Sequence, residues 1–267
     1  MDAGALLDWY AREGRDLPWR RTRDPYRVLV SEVMLQQTQV DRVVPRYERF
    51  IPRFGDERAL AAASAAEVIA EWSGLGYNRR ALALWRAAEA VAEHGWPRSV
   101  DGLRALPGVG PYTAAAVASF AFDVNVPAVD TNLRRAIERW DGTERRPAAL
   151  AARAVALVPH RRAAAWNHAM MDLGATVCRP RAPRCDACPV AEGCASRGSV
   201  VRERAPAARV RFEDTDRFVR GRVVAALVER RPLPRELGEE RLERALSGLE
   251  RDGLVVRDGA QVTLPGR

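Results

Sequence analysis

Leu106-Pro107-Gly108-Val109-Gly110 leads into the apolar, Ala-rich stretch Tyr112–Phe122, and the fold turns on how that junction is read. Its glycines leave the backbone bare between two helical segments. Exposed N–H groups at the start of the following helix can hold a phosphate. Taken in isolation, the same residues read as an ordinary Pro-Gly turn.

On both sides of the junction the pattern is helical. Residues 1–20 read as one helix ending near Leu17-Pro18-Trp19, and Ser31–Phe50 as another with a break at Pro45. Ala59–Ala70 and Arg79–His94 follow, separated by Gly74-Leu75-Gly76-Tyr77. Asp130-Thr131-Asn132 opens a helix to Trp140, then come Pro147–Leu157 and Ala163–Leu173. Ser196–Arg211 is rich in Arg, Ala and Ser and reads as a linker. Beyond it, Phe218–Glu229 and the stripe Leu242, Ala245, Leu246 and Leu249 read as helices. Asp258-Gly259 is a hairpin signal.

All four cysteines lie in one stretch, Cys178, Cys185, Cys188 and Cys194, spaced C-x6-C-x2-C-x5-C. Four thiolates this close can converge on one object, and the spacing favours a 4Fe–4S cluster. A zinc site with four cysteine ligands is the main rival, but such sites usually pair two C-x2-C units. Two disulfides satisfy parity, yet Met1–Tyr10 is already polar and helix-like, so no secretory signal and a reducing compartment are expected.

The chain of 267 residues is 47% hydrophobic and carries a formal charge of +8. That balance points weakly to a polyanionic partner. No apolar run approaches a membrane span. The chain has no lysine, so its 43 basic residues are all arginine. Mechanisms that need a lysine nucleophile are thereby excluded.

The hairpin, Asp130 beyond it and the cysteine spacing together resemble the helix-hairpin-helix superfamily of DNA glycosylases that carry an iron–sulfur loop. Within it, Ser31-Glu32-Val33-Met34-Leu35-Gln36-Gln37-Thr38-Gln39-Val40 and Met170-Met171-Asp172-Leu173-Gly174-Ala175 are similar to signatures of the A/G-specific adenine glycosylase (MutY) family. The resemblance covers residues 5 to about 197. It implies an all-α, two-lobed glycosylase domain over 1–197 with a 4Fe–4S loop at 178–194. A linker over 198–216 and a small winged-helix-like module over 217–267 complete the expected organisation. The family usually ends in a MutT-like domain, so the chain reads as a short form.

The implied reaction is excision of adenine mispaired with 8-oxoguanine or guanine in double-stranded DNA, by base flipping. Glu32, among Val30, Val33, Met34 and Leu35, is the expected general acid for adenine N7, because apolar surroundings raise a carboxyl pKa. Asp130 is the expected carboxylate that stabilises the oxocarbenium-like sugar. An N-cap role for Asp130 is compatible with this. Tyr112 stands where bifunctional relatives such as endonuclease III place a lysine, which implies a monofunctional hydrolase leaving an abasic site. Tyr112 and Asn132 are expected to help place Asp130.

By the same resemblance, Gln37 inserts near the lesion and Tyr77 is an aromatic wedge beside 8-oxoguanine. Arg15, Trp19, Arg20 and Leu35 belong with the adenine pocket and its surroundings. Gly108, Gly110 and Thr113 belong to the DNA-binding hairpin. Arg179, Arg181 and Arg184 stand ready for phosphates. His168 departs from the pattern, since many relatives have Glu or Gln there, and Asn78 stands where a second tyrosine is common. A monomer in the bacterial cytoplasm, at the nucleoid, is the implied setting. A mismatch glycosylase removing thymine or uracil opposite guanine is the nearest alternative. A non-catalytic, redox-sensing DNA-binding protein is the more distant one.

Overall fold

A computed structural model describes residues 1–199, 211–259 and 261–266. Nearly all regular structure there is helical, and the one sheet among these residues is a two-stranded hairpin. No helix of the described residues is long and apolar enough to cross a membrane.

The chain divides into two compact units. The first comprises Met1–Val28, Arg98–Ala105 and Val109–Ala205. Its core gathers Leu6 and Leu7 from the first helix with Leu133, Ile137, Trp166, Met170 and Leu173. The helix Pro111–Phe122 is buried from Thr113 through Phe120. It begins at the expected hairpin, with Gly110 as N-cap and Pro111 in the first turn, where the missing N–H costs nothing. The short helix Val100–Arg104, N-capped by Ser99, precedes the hairpin.

The second unit comprises Leu29–Pro97, Leu106–Gly108 and Pro206–Arg267. Its core includes Ala66, Ile69 and Leu82 packed with Val223, Leu242, Leu246, Leu249, Leu254 and Leu264. The C-terminal residues therefore share an apolar core with helices Ala65–Trp72 and Arg79–His94. Gly108 belongs to this unit at φ +73°, and a Cβ there would lie 2.6 Å from the Ala83 methyl. Only glycine suits that backbone and that approach.

Several boundaries differ from those read in the sequence. The first helix ends at Glu13, because Gly14 leaves the helical path, and Pro18–Arg20 forms a separate 3-10 turn. The stretch expected as one helix with a break at Pro45 is two helices, Pro25–Leu35 and Val40–Arg53. The break lies around Gln37, at φ +55°. Pro45 is tolerated inside the second helix, whose Val43, Tyr47 and Phe50 are buried. Packing of that face outweighs the lost backbone bond. Ala59–Ala70 is likewise interrupted, since Ser64 starts a new helix through a capping box with Glu67.

Near the C-terminus, helices Asp216–Val228 and Glu239–Arg251 precede Val256–Asp258, paired antiparallel with Gln261–Thr263. The linker expected over 198–216 falls largely on residues 200–210, outside the described residues.

Candidate active site

Asp130 caps the helix Thr131–Asp141. Its Oδ1 accepts from Leu133 N at 2.7 Å and its Oδ2 from Asn132 Nδ2 at 2.8 Å. The approach to Asp130 is fixed as well. Asn167, fully buried, accepts from Ala128 N at 2.9 Å and donates to Val126 O and Ser119 Oγ. One side chain thus satisfies two backbone groups of an irregular segment.

Asn132 is itself held. Its Oδ1 accepts from Arg135 Nη2 at 2.7 Å, and Arg135 also donates to Gly174 O and to Cys178 O. Gly174 admits Asn132 because it lacks a side chain: a Cβ there would lie 2.5 Å from the Asn132 Cβ. A continuous chain of contacts therefore runs from Asp130 through Asn132 and Arg135 to the first cysteine.

The cysteine loop hangs from the end of the same helix. Arg139 donates to Arg179 O and Pro180 O, Trp140 Nε1 to Val190 O, and the amides of Ala195 and Ser196 return to Trp140 O and Arg139 O. A π-helical turn over Leu173–Val177 delivers Cys178. Cys178, Cys185, Cys188 and Cys194 are unbridged, half-buried and line one shared pocket. Burial pushes the Cys188 and Cys194 thiols up, and their cysteine neighbours add to this. Among the described residues no three His, Cys, Asp or Glu groups close on a point that one ion could occupy. Four thiols lining one pocket are a donor set that a 4Fe–4S cluster takes. Arg179, Arg181 and Arg184 are exposed on this loop.

The first unit also gathers Arg15, Arg20, His168 and Asp172. Asp172 is fully buried and receives Arg15 N and Nε and both terminal nitrogens of Arg20, all at 2.7–2.8 Å. Burial alone would raise this carboxyl, but the hydrogen bonds and charges of Arg20 and Arg15 hold it below the usual carboxylate range. The His168 ring stacks on Phe120 with centroids 4.0 Å apart. Burial, helped by the positive charge of Arg20, pushes the imidazole down to about 3, so it is neutral at physiological pH. Trp19 is buried beside Arg20 in sequence. Tyr112 is half-buried and Thr113 buried in the first turn after the hairpin.

Glu32 belongs to the second unit and is 4% exposed in helix Pro25–Leu35; Leu35 is half-buried at its end. Gln37 and Tyr77 are exposed there and line one pocket. Both have left-handed backbones, at φ +55° and +48°, an arrangement that persists for bulky residues only when surrounding structure enforces it. Arg80 is the enforcer. It donates to Val33 O, Met34 O and Gln36 O at the end of the Glu32 helix and to Gly76 O in the Tyr77 loop. Burial lowers its pKa to about 10, which still leaves it charged.

The sequence profile of the HhH-GPD superfamily of base excision DNA repair proteins matches residues 30–160. An adenine DNA glycosylase of Mycolicibacterium smegmatis is 45% identical over 83% of this chain and 78% of its own length. One from Mycobacterium tuberculosis is 42% identical over 98% of this chain and 92% of its own. The chain belongs to the adenine DNA glycosylase family. Among solved structures, a thermostable thymine-DNA glycosylase superposes with a TM-score of 0.69 at 31% identity, over 73% of this chain and 94% of that one.

Against that family background, the sequence reading missed Arg80, Arg135, Asn167 and Asp172 as individual residues. Arg80 and Arg135 lie outside the quoted motifs, and among 43 arginines nothing local marks them. Asp172 and Gly174 lay within a quoted signature, but nothing in the pattern revealed what they hold.

Proposed function

We propose that this family member excises adenine opposite 8-oxoguanine or guanine in duplex DNA, in the bacterial cytoplasm and acting on the nucleoid as a monomer. Glu32 protonates adenine N7 and turns a poor leaving group into a neutral one. Its near-complete burial supports that role, since low dielectric favours the protonated carboxyl. Asp130 faces the sugar as the glycosidic bond breaks, and its carboxylate stabilises the positive charge that develops there. Tyr112 and Asn132 orient it. Water completes the hydrolysis, and the absence of lysine leaves no side-chain amine for strand cleavage by a Schiff base.

The flipped adenine lies against Arg15, Trp19, Arg20 and His168, with the neutral imidazole as a hydrogen-bond partner, and Leu35 contributes to substrate and DNA binding. Gly108, Gly110 and Thr113 bind the phosphate backbone at the hairpin. Gln37 and Tyr77 enter the duplex beside the lesion. Cys178, Cys185, Cys188 and Cys194 hold a 4Fe–4S cluster. When bound, that cluster supplies a rigid scaffold for Arg179, Arg181 and Arg184 on the DNA side. Relatives that are 42–45% identical over most of both chains bear the adenine name. The thymine- or uracil-removing alternative has less support on that ground.

The clamp on Asp130 carries this reading. Among the described residues its donors are one backbone amide and one carboxamide, both neutral, so the carboxylate is fixed in direction while its charge remains available to a sugar cation. Single-turnover excision on a duplex with adenine opposite 8-oxoguanine tests the proposal. Glu32→Gln and Asp130→Asn should each lower the rate by about a thousandfold or more while DNA binding persists. Near-normal excision by either variant would sink the assignment. Strand breakage in the wild type without alkali would rule out the monofunctional reaction.

A further inference from the structure

Four large hydrophobic side chains are exposed among the described residues: Tyr77, Val155, Phe212 and Val256. Two of them flank one guanidinium. Arg217 lies 4.9 Å from the Tyr77 ring centroid and 5.0 Å from that of Phe212, and it donates to the Tyr77 hydroxyl. Arg80 approaches the same Tyr77 ring at 5.6 Å from within the loop. The result is a solvent-facing ladder of Tyr77, Arg217 and Phe212. Its central member comes from the first turn of helix Asp216–Val228, near the C-terminus.

An exposed aromatic in a left-handed backbone is unusual, and covering it with a cation from 140 residues away is a further constraint. The adjoining groove is cationic. A pocket of about 820 Å³ shares Tyr77, Phe212 and Arg217 with Arg42, Arg46 and Arg49. Desolvation and the neighbouring charges of Arg49 and Arg42 lower the pKa of the Arg46 guanidinium. Glu71, paired with Arg49, and Glu229 also line it, but arginines outnumber them, and guanidinium groups crowded beside aromatic rings suit a nucleic-acid strand.

We propose that helix Asp216–Val228 forms part of the surface that reads the base opposite the excised adenine. Arg217 fixes the Tyr77 ring plane and reads the extra C8 carbonyl that distinguishes an oxidised guanine from guanine. A guanidinium is suited to both tasks, since its face stacks while its edge donates. Arg217 is thus a positioning and specificity residue, and this rests on Tyr77 acting as the wedge proposed above.

Equilibrium binding separates this inference from the catalytic one. The probes are two duplexes carrying a non-hydrolysable 2′-fluorinated adenosine, one opposite 8-oxoguanine and one opposite guanine. Wild type should prefer the 8-oxoguanine duplex. Arg217→Ala should weaken that duplex about fivefold to tenfold and the guanine duplex far less, collapsing the preference. Arg217→Lys should restore part of it, and Phe212→Ala should lose a smaller share. Arg244→Ala, on the next helix, should leave the preference intact. Absence of any preference in wild type, an Arg217→Ala effect equal on both duplexes, or no effect would overturn the inference. An Arg217-dependent preference in a protein that releases no adenine would uphold it while refuting the adenine-excision reading.

Discussion

Asp130 and Asp172 belong to the same unit, and they are held in opposite ways. Asp172 is fully buried, and two guanidinium groups plus a backbone amide saturate its oxygens. Asp130 is half-exposed at a helix start, tied by one amide and one carboxamide. The first carboxylate has spent its charge on Arg15 and Arg20. The second is fixed without being neutralised. A carboxylate meant to meet a transient cation needs the second arrangement, because an ion pair already formed would screen the interaction it is there to make.

The contrast predicts a division of effects. Asp172→Ala should cost about 3–5 kcal/mol of stability, because it strands two cations, with Arg20 only 8% exposed at its side chain. Asp130→Asn should change stability by less than about 1 kcal/mol, since Asn caps helices as well as Asp does. Urea unfolding of both variants checks this. A stability loss at Asp130→Asn as large as that at Asp172→Ala would erase the distinction.

Acid sharpens it. The folded pKa of His168 is depressed to about 3. The unfolded chain therefore takes up a proton below about pH 6.5 that the folded chain refuses. Stability should fall as pH falls through that window, by at most about 1.4 kcal/mol per unit. Asp172, also depressed, adds its loss only below the unfolded carboxyl pKa of about 3.9. Unfolding free energy between pH 7 and 4 should thus slope downward in the wild type and flatten in His168→Gln. Identical slopes would remove His168 from the account.

These two clusters also mark how far the sequence could be read. Helices such as Pro147–Leu157 and Arg79–His94 match their expected bounds because the apolar period agrees with a local start or stop signal, Pro147 opening the first and Gly95 ending the second. Gly108 and the cysteines are legible because their chemistry is tied to position. The break at Gln37 and the tolerance of Pro45 were not legible. Each is decided by contacts distant in sequence: Arg80 reaching back to Gln36 O, and burial of Val43 and Phe50. Arg217 is the extreme case, since a helix of modest pattern gains its meaning from a ring 140 residues away.

The smallest expected effect probes the clamp itself. Asn132→Ala removes the donor to Asp130 Oδ2 and the acceptor for Arg135, but leaves the Leu133 amide in place. The carboxylate keeps one anchor and gains rotational freedom. Loss of one hydrogen bond to a charged group, here the orienting bond to the carboxylate, is worth about 1.5 kcal/mol or more, or roughly a tenfold or greater fall in single-turnover rate. Because Arg135 still holds Gly174 O and Cys178 O, the cysteine loop should keep its fold and its cluster absorbance. A tenfold rate loss with unchanged absorbance places the effect at Asp130. Loss of absorbance in step with activity would instead show that the loop depends on Asn132, and that orienting the carboxylate and supporting the cysteines cannot be separated.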